Sequence, residues 1–216
     1  MVAQSGKSSG FVTDMNIDLA TWHLKSGQAV VYPTDTAYGL GVDATNARAI
    51  KKLLKIKQRR AQPTHIVVSS LVMAKKYAVF SKFAEKLFKM FLPGPLTLVL
   101  ELRIKNRESR QALELLSAGT GTIGIRMPDN KIALSLVKKL KHPITTPSAN
   151  PKGGHVPYTI QDCQKQFSRK KYQPDMYLDA GRLLKRRPST IVKIIGNKIE
   201  ILRHGPISKK QMNASL

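Results

Sequence analysis

Apolar side chains recur along the chain in two alternating rhythms. Ile17, Ala20 and Leu24 stand at i, i+3 and i+7, which predicts an amphipathic helix over 17–26 that stops before Gly27. The run AVVYP at 29–33 then reads as a buried strand. Asn46 has the side chain of an N-cap, and Ala47, Ile50, Leu53 and Leu54 give the following helix an apolar face. That helix runs into the basic KIKQRR of 55–60, where cations suit its C-terminal dipole. HIVVSS at 65–70 predicts a second strand. Ala84, Leu87, Phe88 and Phe91 predict a helix over 82–91, halted by Pro93, Gly94 and Pro95. Strands are expected at 96–102 and 122–127, a helix at 130–140, a strand at 143–146 and a helix at 159–167. Three strands follow, at 175–179, 189–195 and 199–203, the last two joined by a Gly196-Asn197 turn. The polar, charge-mixed stretch between 103 and 121 has room for a short helix and suggests no function.

Strands and helices intermingle without a repeat or a long linker. The expected architecture is α/β, one domain built on a twisted, mixed open sheet with helices. The domain is placed at 15–207, with a flexible start at 1–14 and a tail at 208–216. With 42% hydrophobic and 23% charged residues in 216, the chain is neither disordered nor collagen-like.

Charge narrows the class of partner. Lys and Arg number 37 against 13 Asp and Glu, a net charge of +24, so the surface should attract polyanions such as nucleic acid or a phosphate-rich ligand. The one cysteine, Cys163, can form neither an internal disulfide nor a multi-cysteine zinc site, and is expected to be an inert buried thiol. No run approaches the roughly 20 apolar residues of a membrane span, and the opening MVAQSGKSSGF lacks a secretory apolar core; the expected location is cytoplasmic.

Several motifs fail on context. Gly119, Gly121 and Gly124 spell G-x-G-x-x-G but lead into a strand rather than a helix, and no acid lies between Asp129 and Asp162 to hold a ribose. Ser135 and Lys138 spell S-x-x-K inside an amphipathic helix with no companion motif. His23, His65, His142, His155 and His204 lack ligand spacing, so no metal site is predicted.

Other segments keep two readings each. YPTDTAYGLG at 32–41 is either a strand ending in a pocket-lining loop or a turn in which Asp35 and the threonines satisfy local backbone. Lys57 and Arg59 are either an anion grip or a solvated helix end. TTPSAN at 145–150 places hydroxyls and an amide beyond a strand end, or is simply a polar loop. PGPLT at 93–97, TIGIRMPD at 122–129, DAG at 179–181, PSTIV at 188–192 and ILRHG at 201–205 complete an ordered set.

That set, from about Asp14 to Ile207, resembles the YrdC-like (TsaC) family of L-threonylcarbamoyladenylate synthases. The resemblance implies a large, positively charged concave cavity. It also implies that L-threonine, bicarbonate and ATP are joined into threonylcarbamoyl-AMP with release of pyrophosphate, for modification of tRNA adenosine 37. It implies that Thr36, Ser148 and Ser189 contact threonine and that Arg126 binds its carboxylate. Lys57 and Arg59 match the family's K-x-R signature, and Ser148 and Asn150 its S-x-N signature. These four are expected to grip the ATP phosphates and orient the carbamate, with Lys57 and Arg59 in the catalytic role. Thr122 and Arg203 would complete the nucleotide side. Mg2+ is expected to enter with ATP, and no residue stands out as base for the threonine amine.

The chain departs from the family pattern at Arg60, where proline is usual, at Pro63, and at Val68, where some members place a threonine-contacting histidine. It resembles the short form, which relies on other proteins of the threonylcarbamoyl-transfer pathway. Arg60, Arg186 and Arg187, with Lys51, Lys52, Lys55, Arg182 and Lys185, are read as a rim for tRNA or double-stranded RNA. The alternatives weighed are a noncatalytic RNA-binding protein of the same fold and a carbamoyl-transferring domain of the hydrogenase-maturation type.

Overall fold

Hydroxyl and amide side chains start most of the helices in the computed structural model, which describes residues 13–60, 62–104 and 107–214. Thr13 accepts from the Asn16 N–H and opens α1 (Asp14–Lys25), and Asn46 accepts from the Arg48 and Ala49 N–H groups to open α2 (Ala47–Lys57). Ser70, Ser81, Asn130 and Thr159 do the same for later helices; each such cap stabilises its helix by about 1 kcal/mol. The first helix therefore begins at Asp14, inside the segment expected to be flexible; the rest of that segment, 1–12, lies outside the described residues.

Strands β1 (Val30–Pro33) and β2 (Tyr38–Gly41) form an antiparallel pair, and β7 (Met176–Tyr177) joins β1 in parallel. The strand character of β2 was not expected from YGLG. It depends on Tyr32, whose ring lies against Gly41; a Cβ there would sit 2.8 Å from the Tyr32 ring. The second sheet has six strands in the order β6-β3-β5-β4-β8-β9: β3 (Ile66–Val67), β4 (Leu96–Glu101), β5 (Thr122–Arg126), β6 (Ile144–Thr145), β8 (Thr190–Ile195) and β9 (Lys198–Arg203). Parallel and antiparallel neighbours mix throughout.

Two sheets thus replace the one expected. The chain leaving β6 abandons β3 and hydrogen-bonds to β2: the Leu40 N–H donates to the Pro147 carbonyl at 2.8 Å and the Ala149 N–H to that of Tyr38 at 2.9 Å. The sheets meet along this seam. Thr145 stitches it further, its hydroxyl accepting from the Val42 N–H and donating to the Leu40 carbonyl.

The strand foreseen at 65–70 shortens because Ser70 caps an unforeseen helix, α3 (Leu71–Tyr77). Helix α4 (Lys82–Phe91) ends as expected before Pro93. The supposed connection at 103–121 holds α5 (Arg107–Ser117), which buries Ala112, Leu113 and Leu116 and packs on α2. Helix α6 (Lys131–Leu140) buries Ala133, Leu136, Val137 and Leu140 against α1. After α7 (Ile160–Phe167), the described chain closes with α8 (Lys209–Ala214), in the stretch read as a tail; Met212 there is fully buried. Cys163 is buried as expected, and its thiol is pushed up to about 12 by desolvation first and then by Asp162. No described helix is long and apolar enough to cross a membrane.

Candidate active site

A cavity of about 300 Å3 opens where the β1–β2 turn, the segment after α2, the end of β5, the segment after β6 and the approach to β8 converge. Loops beyond strand ends are where α/β sheets place ligand sites. Arg59, Arg126, Arg186 and Arg203 line the cavity, and no Asp or Glu is among its lining residues. Thr34, Thr36, Ser148 and Ser189 add hydroxyls.

Arg126 ends β5 and is held from the β1–β2 turn, its Nη2 donating to the Asp35 carboxylate and, at 2.9 Å, to Thr36 Oγ1. Both partners of the ion pair are buried, with side-chain exposures of 7% and 3%. Asp35 thus reaches a residue 91 positions away rather than satisfying local backbone, whereas Thr34 does the local work, accepting from the Thr36 and Ala37 N–H groups. Arg126 Nε and Asp35 Oδ2 are both buried without a protein hydrogen-bond partner among the described residues.

Helix α2 delivers its two cations to different places. Gln58 adopts a left-handed φ of 51° at the C-cap, reversing the chain so that Arg59 lines the cavity. Lys57 is 2% exposed and is not a lining residue. Its ammonium donates to the Ser148 carbonyl at 2.5 Å, to the Asn150 carbonyl, and to Asn150 Oδ1 at 3.4 Å. Burial, and then the adjacent Arg59 charge, push its pKa down to about 7.

Asn150 is equally committed: Oδ1 accepts from the Ser148 hydroxyl at 2.5 Å, and Nδ2 donates to the Pro151 and Gly154 carbonyls. Of the expected phosphate grip, Arg59 and Ser148 face the cavity, while Lys57 and Asn150 lie behind it and hold the loop that presents Ser148. In this arrangement the polar atoms of Lys57 and Asn150 are bonded to protein, which gives both residues a positioning role beside the phosphate contacts expected of them.

Ser189, 1% exposed, meets Thr97 Oγ1 at 3.0 Å and accepts from Arg203 Nη2 at 3.0 Å; Arg203 Nε donates to the Ser189 carbonyl. One residue thereby fixes the guanidinium plane of Arg203. Desolvation, followed by repulsion from Arg126, lowers the Arg203 pKa. Thr122 is apart from this group: it lies four residues before Arg126 on β5 and lines a neighbouring cavity, also of about 300 Å3, with Val99, Ile191 and Leu202 among its walls. Of the three arginines read as a rim, Arg186 is exposed and lines the first cavity, whereas Arg60 and Arg187 are exposed and outside its lining. Val68 is fully buried in the core, and Pro63 lines both cavities.

Two participants escaped the sequence reading. Asp35 carries no assigned role in the pocket-lining reading of 32–41, although a buried Arg126 in a chain with 13 acids requires a counter-charge from somewhere. His65 was dismissed for want of ligand spacing, yet it lines both cavities. Burial first, then Arg203 and Arg126, push its imidazole down to about 4.

Comparison with known proteins follows the same outline. The Sua5_yciO_yrdC family model, described as telomere recombination, matches residues 23–205. A Methanocaldococcus jannaschii protein provisionally named threonylcarbamoyl-AMP synthase is 36% identical over 189 residues, covering 85% of this chain and 84% of its own. The threonylcarbamoyl-AMP synthase of Pyrococcus abyssi is 31% identical over 93% of this chain, which spans 57% of that longer protein. Among solved structures, P. abyssi Sua5 complexed with L-threonine superimposes with a TM-score of 0.83 at 29% identity, covering 93% of this chain and 57% of its own. YciO of E. coli gives 0.78 at 25% identity, covering 93% and 94%. The family-model match over 23–205, the M. jannaschii relative at 36% identity and the shared fold lead to one conclusion: the chain belongs to the Sua5/YciO/YrdC family.

Proposed function

We infer that the protein is a threonylcarbamoyl-AMP synthase, a nucleotidyltransferase that makes threonylcarbamoyl-AMP and pyrophosphate from L-threonine, bicarbonate and ATP. The observation carrying this reading is a cavity lined by four arginines and no acid, opening beside a second cavity with apolar walls and the Thr122 hydroxyl.

Threonine occupies the Arg126 end, its carboxylate taken by the guanidinium that Asp35 and Thr36 hold in place. Its neutral amine nitrogen bonds to the carbon of carbon dioxide as a carbon–oxygen π bond opens onto oxygen, and the departing amine proton joins the hydroxide that bicarbonate released, leaving a carbamate and water. A carbamate oxygen then attacks the α-phosphorus, and the bond to the β-phosphate bridging oxygen breaks as pyrophosphate departs. Arg59 and Arg203 neutralise the charge gathering on the transferring and leaving phosphates, which is the principal assistance such a displacement needs. The adenine side extends toward Thr122. Mg2+ would enter with ATP as its phosphate counterion, held by phosphate oxygens and water, and would neutralise charge on the phosphates while Arg59 and Arg203 supply the protein's own cations.

The product serves tRNA adenosine-37 modification, and the excess of basic residues favours weak contact with tRNA or double-stranded RNA at exposed Lys51, Lys55, Arg60, Arg182, Lys185 and Arg187. The other partners are proteins of the threonylcarbamoyl-transfer pathway. Pyrophosphate release coupled to a threonylcarbamoyl-AMP mass peak tests the reading. Both should require threonine and bicarbonate together, and equal turnover with threonine omitted would overturn it.

A further inference from the structure

We propose that His65 seats the nucleotide: its ring contacts the ribose and α-phosphate segment of ATP where the ligand passes from the apolar cavity into the arginine-lined one. The proposal rests on the synthase reading above and adds a contact at a position outside the matched signatures.

Three residues, Pro63, Thr64 and His65, line both cavities. Proline offers no side-chain hydrogen bond, and the Thr64 hydroxyl already donates to the Gln62 carbonyl at 3.0 Å. The ring of His65 takes no protein hydrogen bond among the described residues; its backbone carbonyl accepts from the Thr146 N–H, which fixes the main chain and leaves the imidazole uncommitted.

The ring is also held in position. It rests on Gly124 of β5, where a Cβ would come within 2.2 Å of His65 Cδ2 and 2.8 Å of Cγ, so only glycine leaves room for it. Gly124 lies between Thr122 and Arg126 on the same face of the strand, which puts the imidazole midway between the residue expected at the nucleotide and the guanidinium expected at threonine.

The surroundings select its protonation state. Desolvation first, and then the charges of Arg203 and Arg126, keep the imidazole neutral at physiological pH, with one N–H donor and one acceptor. A ligand whose phosphates lie on the arginines and whose base fills the apolar cavity must pass this ring, and its sugar hydroxyls and α-phosphate oxygens match that donor and acceptor pair.

The test uses the full chain, ATP and a non-hydrolysable α,β-methylene analogue. His65→Leu should raise the Kd for the analogue about tenfold, the effect of losing one hydrogen bond to a charged group, without changing the Kd for threonine. His65→Gln, which keeps a donor and an acceptor, should recover most of the affinity. In histidine-labelled protein, the signal missing from the His65→Gln spectrum should move with the analogue and stay still with threonine alone. Unchanged nucleotide affinity in a folded His65→Leu protein, while the parent still makes threonylcarbamoyl-AMP, overturns the seat. A parent that binds no ATP overturns the synthase reading, and the seat falls with it.

Discussion

Lys57 holds Asn150 twice, through its backbone carbonyl and its side-chain carbonyl, from a position where the ammonium is almost wholly buried. Its pKa, depressed to about 7, makes folding stability depend on pH in a defined direction. Below pH 7 both states are protonated and burial of the charge costs stability. Between about pH 7 and the ordinary lysine range, the unfolded chain retains a proton that the folded one has released, so this residue's share of stability rises by up to about 1.4 kcal/mol per pH unit. Urea unfolding of the parent and of Lys57→Met at pH 7 and pH 9 should show the parent gaining relative to the variant. Parallel profiles would mean that the lysine does not titrate there. Product formation should run the opposite way, falling over the same window as the loop loses a donor.

Asp35 and Arg126 form the second test. Removing one partner of a buried pair leaves the other uncompensated, at a cost of about 3–5 kcal/mol. Asp35→Ala should therefore lower stability by that order and raise the Kd for threonine more than that for ATP. Chemical denaturation and calorimetry with each ligand measure the two effects; a variant with unaltered threonine affinity would separate Asp35 from the substrate site.

Thr97 is not a cavity-lining residue, yet it meets the Ser189 hydroxyl that also receives Arg203. Thr97→Val, which keeps the shape, should loosen Ser189, expected at threonine, and through it Arg203, raising KM for both threonine and ATP by about two- to tenfold. Unchanged KM values for both substrates in a folded variant would show that Thr97 positions neither side chain.

RNA contact can be separated from chemistry, though not through Arg186, which lines the cavity. Charge reversal at Lys185 and Arg187, both exposed and outside the lining, should weaken tRNA or double-stranded RNA binding and flatten its dependence on salt, with most product formation retained. Anisotropy titrations at several salt concentrations decide the matter: an unchanged slope would leave these charges a role in solubility alone.

Periodicity was most legible where one element decides its own burial. The faces of α2 and α4 repeat at helical spacing, and their cap and stop are written beside them as Asn46 and Pro93. It was least legible where a strand exists because of a distant neighbour: Tyr38–Gly41 becomes β2 through Tyr32 on one side and the 147–149 segment on the other. The same distinction governs the site. Motifs marked which segments meet, but whether a polar atom faces ligand or protein is decided across the chain, 91 positions apart for Asp35 and Arg126 and 93 for Lys57 and Asn150. His65 carried no local signal at all, since its place depends on a glycine in another strand.

Cys163, fully buried on α7 with its thiol displaced to about 12, has a practical consequence. Thiolate is the species that reacts with maleimides and iodoacetamides, and at neutral pH this side chain supplies almost none of it. The native chain is therefore already a silent background for labelling. A cysteine introduced at exposed Lys185 would be the sole target for a fluorophore, placed one residue from cavity-lining Arg186, and would report loop movement during turnover without prior removal of any native residue.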